Sequence, residues 1–141
     1  MKELKEINLS FDLSSLEDIA EAEVQMKRGS EPLPIWVTLA GPEHPKRKAF
    51  LFAKQRRMRQ QLAKTGKLEF SDPAEDEGEE AELLAICILG WRGVVLKGAT
   101  LECNKANIDQ LLNDPKRAWF RRCIKTAFDD NEAFIAASAT N

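Results

Sequence analysis

What this chain lacks narrows its chemistry before any pattern is read. It has one histidine and three cysteines in 141 residues. His44 lies between Pro42 and Pro45 in what reads as a loop, with no Ser or Cys motif beside it to supply a nucleophile. Cys87, Cys103 and Cys123 are odd in number and widely spaced. That fits reduced thiols better than a disulfide framework, and no CxxC spacing points to zinc. No glycine-rich loop joins a strand to a helix: Gly90-Trp91-Arg92-Gly93 does not have the form of a phosphate loop. The acidic stretch AEDEGEEAE does not place oxygen ligands at the offsets of a calcium loop. No catalytic residue, metal site or cofactor is expected, and the chain reads as a non-enzyme. The longest unbroken apolar run, Leu83–Leu89, is far short of the roughly 20 residues that cross a bilayer. The opening MKELKEINLSF carries charge where a secretory leader needs an apolar core, so a cytoplasmic protein is expected.

What remains is the composition of an ordinary globular domain. Hydrophobic residues make up 43% and charged residues 31%, and the formal net charge is -2. Such a balance gives no overall attraction to nucleic acid or acidic lipid. At this length one domain can bury roughly two-thirds of its unfolded surface.

The apolar run sets the expected architecture. In the stretch from Ala81 to Leu101 the first half, Leu83–Leu89, is apolar on all sides, which suits a buried central helix. Gly90 ends it, and Val94–Leu96 and Ala99–Leu101 flank Lys97-Gly98 as a tight hairpin. Upstream, Ile7, Leu9, Phe11 and Leu13 alternate with polar residues as an N-terminal arm over 1–14, and Ser15 with Asp18 suggests a short helical turn. Ala22, Val24 and Met26 alternate, as do Ile35, Val37 and Leu39, so a second hairpin turns through Arg28–Pro32. Pro32 and Pro34 put its strand start at an edge. Further on, Asn104 caps a helix carrying Ile108, Leu111 and Leu112. Asp114-Pro115 opens another, with Trp119, Phe120, Cys123, Ile124, Ala127 and Phe128 on a wide apolar face. Asp129 or Asp130 caps a last helix holding Phe134 and Ile135, and the tail 136–141 reads as frayed. The expected fold is α+β: a mainly helical single domain, 1–141, with one or two small hairpins packed on the buried central helix.

Charge is segregated. Between Lys46 and Lys67 nine bases occur without an acid, on a helix with Leu51, Met58 and Leu62 near one face. From Glu69 to Glu82 eight acids occur without a base, and 68–79, with Pro73 and Gly78, reads as an acidic loop. A cationic helix can neutralise phosphates. The acidic block opposes it, and aromatic interleaving is missing, so a solvated face is the favoured reading and nucleic acid is not an expected partner.

Three stretches taken in order resemble a known family. They are Ile35-Trp36-Val37-Thr38-Leu39-Ala40-Gly41-Pro42-Glu43-His44-Pro45 leading into a charged helix; Leu89-Gly90-Trp91-Arg92-Gly93-Val94, then a turn and Asn104-Lys105-Ala106-Asn107; and Leu111-Leu112, Trp119-Phe120-Arg121-Arg122 and Asp130-Asn131-Glu132-Ala133-Phe134. Over about residues 20 to 136 this order is similar to the tail assembly chaperones of long-tailed, siphovirus-type bacteriophages. The resemblance implies a protein that binds the tape-measure protein, recruits tail-tube subunits around it and leaves before the tail is complete. It would act in the host cytoplasm and be absent from the mature virion. Self-association stays open, and no membrane or nucleic-acid partner is implied. The alternatives are a structural virion component, such as a tail-completion or head–tail connector protein, and a small nucleic-acid-binding protein using the helix 46–67.

Trp and Phe are usual interface anchors, so Trp119, Trp91, Trp36 and Phe134 are the candidate partner-binding residues. Trp119 and Phe120 stand about 100° apart on a helix. Phe120 aligns with Ile124 and Phe128, which makes Phe120 the expected core residue and Trp119 the expected anchor.

Overall fold

A computed structural model describes residues 10–68 and 72–138. Its centre is a strand. Strands β1 (Leu16–Asp18), β2 (Glu21–Arg28) and β3 (Glu31–Ala40) precede helices α1 (Pro45–Thr65) and α2 (Pro73–Cys87). Strands β4 (Ile88–Arg92), β5 (Val95–Leu96) and β6 (Ala99–Thr100) follow, then α3 (Lys105–Leu112), α4 (Ala118–Asp129) and β7 (Ile135–Ala137). The main sheet is antiparallel in the order β2-β3-β4, and β1 pairs with β7 and β5 with β6.

This overturns the mainly helical architecture built on one buried helix. Seven strands in three sheets share the described chain with four helices. The deepest side chains of the first half belong to β3, where Val37, Leu39 and Ala40 have no exposed surface. The run Leu83–Leu89 divides: it is helical to Cys87 and extended from Ile88, where it joins the edge of β3 through Leu39↔Ile88 and Val37↔Trp91. A short apolar run has no period that separates helix from strand, which is why it read as one element. Within α2 only Ala81, Leu84 and Cys87 are buried, a single stripe rather than a helix apolar all round.

The acidic loop is likewise replaced from residue 73 onward by the first turns of α2. Asp72 Oδ1 accepts from Ala74 N at 3.3 Å, Pro73 takes the first helical position, and Glu75 and Asp76 lie in the first turn. Negative charge there complements the helix dipole. The same Asp-Pro signal was legible at 114–115, but Gly78 and the charge density concealed it here. The part of the loop at 69–71 lies outside the described residues.

The hairpin of Ala22–Met26 with Ile35–Leu39 is present as β2–β3, longer than expected. Its second strand is central rather than an edge. Pro32 and Pro34 are tolerated because β4 joins only from Trp36↔Arg92 onward. The ladder is irregular between Gln25 and Lys27, and Gln25 Nε2 donates to Leu33 O at 3.0 Å across the irregularity. Lys97-Gly98 turns as expected, with φ of 51° and 81°, the pairing that the tightest hairpins require. Gly93 is held by close approach: at φ 81°, a Cβ would stand 2.0 Å from Pro34 O.

The chain ends differ from the expectation too. Ile7 and Leu9 of the predicted arm lie outside the described residues. Phe11 and Leu13 are exposed, and the turn that follows, Leu13–Ser15, is capped by Asp12 rather than Ser15. The expected last helix is a single 3-10 turn, Asn131–Phe134, capped by Asp130. Of the tail expected to fray, Ala136 and Ala137 instead pair with Glu17 and Leu16, and Ser138 N donates to Ser15 O at 2.9 Å, while 139–141 lie outside the described residues.

The sheet buries one face against α2, α3 and α4 in a single core that includes Met26, Leu84, Ile124, Phe120 and Phe134. Its other face carries Glu23, Gln25, Trp36, Thr38 and Arg92, the polar side that a half-covered antiparallel sheet presents.

Candidate binding surfaces

The four aromatic candidates have four different surroundings. Trp119 is 40% exposed while its neighbour Phe120 is 3% exposed. The two rings meet edge to face at 5.9 Å, so the buried ring braces the exposed one. Trp91 is half-buried against the core: its Nε1 donates to Leu101 O at 2.8 Å, and its ring meets Phe120 at 6.4 Å. That is a structural tryptophan tying β4 to the β6 end of the small hairpin. Trp36 is half-buried on the polar face of the sheet beneath the Arg92 guanidinium, 4.9 Å from the ring. Arg92 is held in turn by two bonds to Glu23, at 2.8 and 3.1 Å, and this pairing keeps the Glu23 carboxyl below the usual carboxylate range. Phe134 is 1% exposed and sits in the core beside Gly41, so its assignment as a partner contact is corrected. A ring with no exposed surface cannot reach a partner in the folded protein. Its polar, acid-rich neighbours in sequence masked this.

Trp119 lines a groove of about 780 Å³ between the second half of β2 and α4. Met26, Leu33, Cys123 and Ala127 supply apolar lining, and Lys27, Arg28 and Arg122 supply cations at its margin.

A second surface is α1. Leu51, Phe52, Met58 and Leu62 are 38–50% exposed along it. Past Ala53, only Gln61 among its residues is as much as half-buried, so nothing packs over its distal half. The basic and acidic blocks meet only in part. Glu79 of α2 reaches Lys54 at 3.5 Å and Arg57 at 3.7 Å, Glu77 reaches Arg121 of α4 at 2.7 Å, and Lys48 pairs with Glu43.

One residue of the basic run is not on the surface at all. Arg47 is 8% exposed, its guanidinium 3.5 Å from the Phe128 ring centroid and its Nη1 donating to Ala40 O and Phe128 O at 3.3 Å each. Burial lowers its pKa from the ordinary arginine value, which still leaves it charged. Nothing in a run of nine bases singles it out; its place in the first turn of α1, beside the end of β3, does. The neighbouring Cys87 thiol is pushed up to about 11 by burial, so it stays protonated at neutral pH and is a poor nucleophile. His44 acts as the N-cap of α1, its Nδ1 accepting from Lys46 N at 3.1 Å. Among the described residues no cluster of His, Cys, Asp and Glu could hold a metal ion, and no helix is long and apolar enough to cross a membrane.

In comparisons with known proteins, no family model, no curated protein and no solved structure matches this chain.

Proposed function

We propose that this chain is a tail assembly chaperone of a long-tailed bacteriophage, a non-enzymatic protein that binds the tape-measure protein and recruits tail-tube subunits to it. The order of its motifs from Ile35 to Phe134 suggests the family. The structural observation that carries the reading is α1, a 21-residue helix whose apolar side chains Leu51, Met58 and Leu62 recur along one side without a covering element. Spacings of seven and four residues make a seam suited to a second helix. A client built of long apolar helices needs such a surface while it waits for its tube.

The test uses infected cells and purified particles. The chaperone reading expects the protein in lysate, bound to tape-measure protein, and absent from mature particles by mass spectrometry. Stoichiometric recovery from tails would transfer the assignment to a structural virion component. The cations Arg56, Arg59, Lys64 and Lys67, none of them ion-paired among the described residues, support a weaker second reading in nucleic-acid binding. Tight binding of duplex or single strands at physiological salt, with a steep fall as salt rises, would favour it.

A further inference from the structure

The groove beside Trp119 has a feature that an ordinary apolar pocket lacks. Every residue from Val24 to Gly29 lines it. Five of these belong to β2 and Gly29 to the turn after it; side chains of a strand alternate between its faces, so a run of five strand residues brings backbone as well as side chains to the groove. β2 is one of the two edge strands of the main sheet. One of its carbonyls is bonded outside the ladder: Lys27 O accepts from the Cys123 thiol of α4 at 3.1 Å. Lys27 stands opposite Pro32, which has no N–H to offer, so this oxygen has no ladder partner on β3. A thiol is a weak donor and an easily displaced one.

An open strand edge running beside a helix, with an apolar trough between them, is the arrangement by which folded domains take up an extended peptide as an added strand. The trough lies within the range of ligand clefts, roughly 300–1,000 Å³. Its margin is unequal in charge. Lys27, Arg28 and Arg122 form no ion pair among the described residues. The one acid, Asp130, is engaged in capping Glu132 N.

We infer that the cleft between β2 and α4 binds an extended segment of another protein by strand addition to Val24–Arg28, with apolar side chains entering beside Trp119 and Ala127 and acidic residues meeting Lys27, Arg28 and Arg122. The main-chain bonds supply affinity. The alternate side chains supply selectivity for an apolar, acid-flanked sequence. This goes beyond the tail-assembly reading, which rests on α1 and a helical client, and either can fail without the other.

The test takes the whole chain and three synthetic octapeptides: one alternating Val with Asp and Glu, the same peptide N-methylated at alternate residues in either register, and its Lys-substituted counterpart. The acidic peptide is expected to shift the amide resonances of residues 24–29 and 119–127. N-methylation in one register should weaken binding at least tenfold, and the Lys peptide should not bind. Arg122→Glu should lower affinity for the acidic peptide by a similar factor with its melting temperature unchanged. Three outcomes overturn the inference. They are no binding of the acidic peptide at millimolar concentration, equal binding of both N-methylated forms, and concentration-dependent self-association that shifts the same amides without peptide, which would assign the edge to a second copy.

Discussion

Helices α1 and α4 are both rich in arginine and lysine, and both carry Phe and Leu or Ile, yet they occupy opposite situations. In α4 the apolar residues recur on one face, and Phe120, Ile124, Ala127 and Phe128 are buried together. In α1 a longer helix buries only Arg47. Composition does not separate these two segments; periodicity does. A strong 3.6-residue period binds a helix to the core, whereas a thin stripe among cations leaves it projecting. The exposed apolar residues of α1 are therefore surface available to a partner, and those of α4 are mostly foundation.

The sharpest test of that contrast lies within α4. Phe120→Ala should cost about 3–5 kcal/mol, because a buried ring leaves a cavity that its neighbours fill only in part. Trp119→Ala should cost less, about 1–2 kcal/mol, since two-fifths of the residue is already exposed and its edge-to-face pair with Phe120 is worth about 0.5–1.5 kcal/mol. Urea denaturation of the two variants reads both values. A Trp119→Ala variant less stable than Phe120→Ala would invert the assignment of core and surface.

The next largest effect concerns the one point where α1 joins the foundation. Arg47→Ala should destabilise by about 2–4 kcal/mol, as the Ala40 and Phe128 carbonyls lose a charged donor inside the protein. Arg47→Lys should recover less than half of this, because an ammonium cannot both stack flat on Phe128 and bond two carbonyls. Full rescue by lysine, measured by the melting midpoint, would reduce the site to simple charge.

Smaller and opposite in sign is Gly78→Ala in α2, the helix whose acids contact both α1 and α4. A Cβ there meets nothing within 4 Å, and the position is helical and exposed, so the variant should gain about 0.5–1 kcal/mol. A loss would mean the acidic segment is not helical in solution. Smallest of all, Met58→Ser together with Leu62→Ser should change stability by no more than about 0.5 kcal/mol per site, as at surface positions generally. The same pair should nonetheless abolish recovery of tape-measure protein on co-purification if α1 is the client surface. A large loss of stability instead would show that α1 is packed in the free protein.

Legibility followed the kind of signal each segment carried. The Asn104 cap, the Lys97-Gly98 turn and the inward and outward placing of Phe120 and Trp119 are set by interactions within a few residues, and each was readable in advance; Asp114 caps a 3-10 turn, Pro115–Arg117, that leads into α4 rather than α4 itself, which starts without a side-chain cap. The acidic block was misread because its Asp-Pro start competes with Gly78 and with the habit of assigning dense charge to loops. The run Leu83–Leu89 was misread because helix and buried strand place the same demand on a short segment, that it be apolar. The groove left no mark in the sequence, since its two walls are nearly 100 residues apart.

By itself, then, the sequence determined the local elements with caps and turns, the segregation of charge, and which side of α4 faces inward, because each of these depends on neighbours along the chain. Only the tertiary structure decided that β3 rather than the apolar run is the centre, that Arg47 among nine bases is buried, that Phe134 is core, and that β2 offers a free edge beside Trp119. Those outcomes depend on which distant strand pairs with which. That choice is made by the summed burial of one sheet face, a quantity spread over the whole chain and present in no single stretch of it.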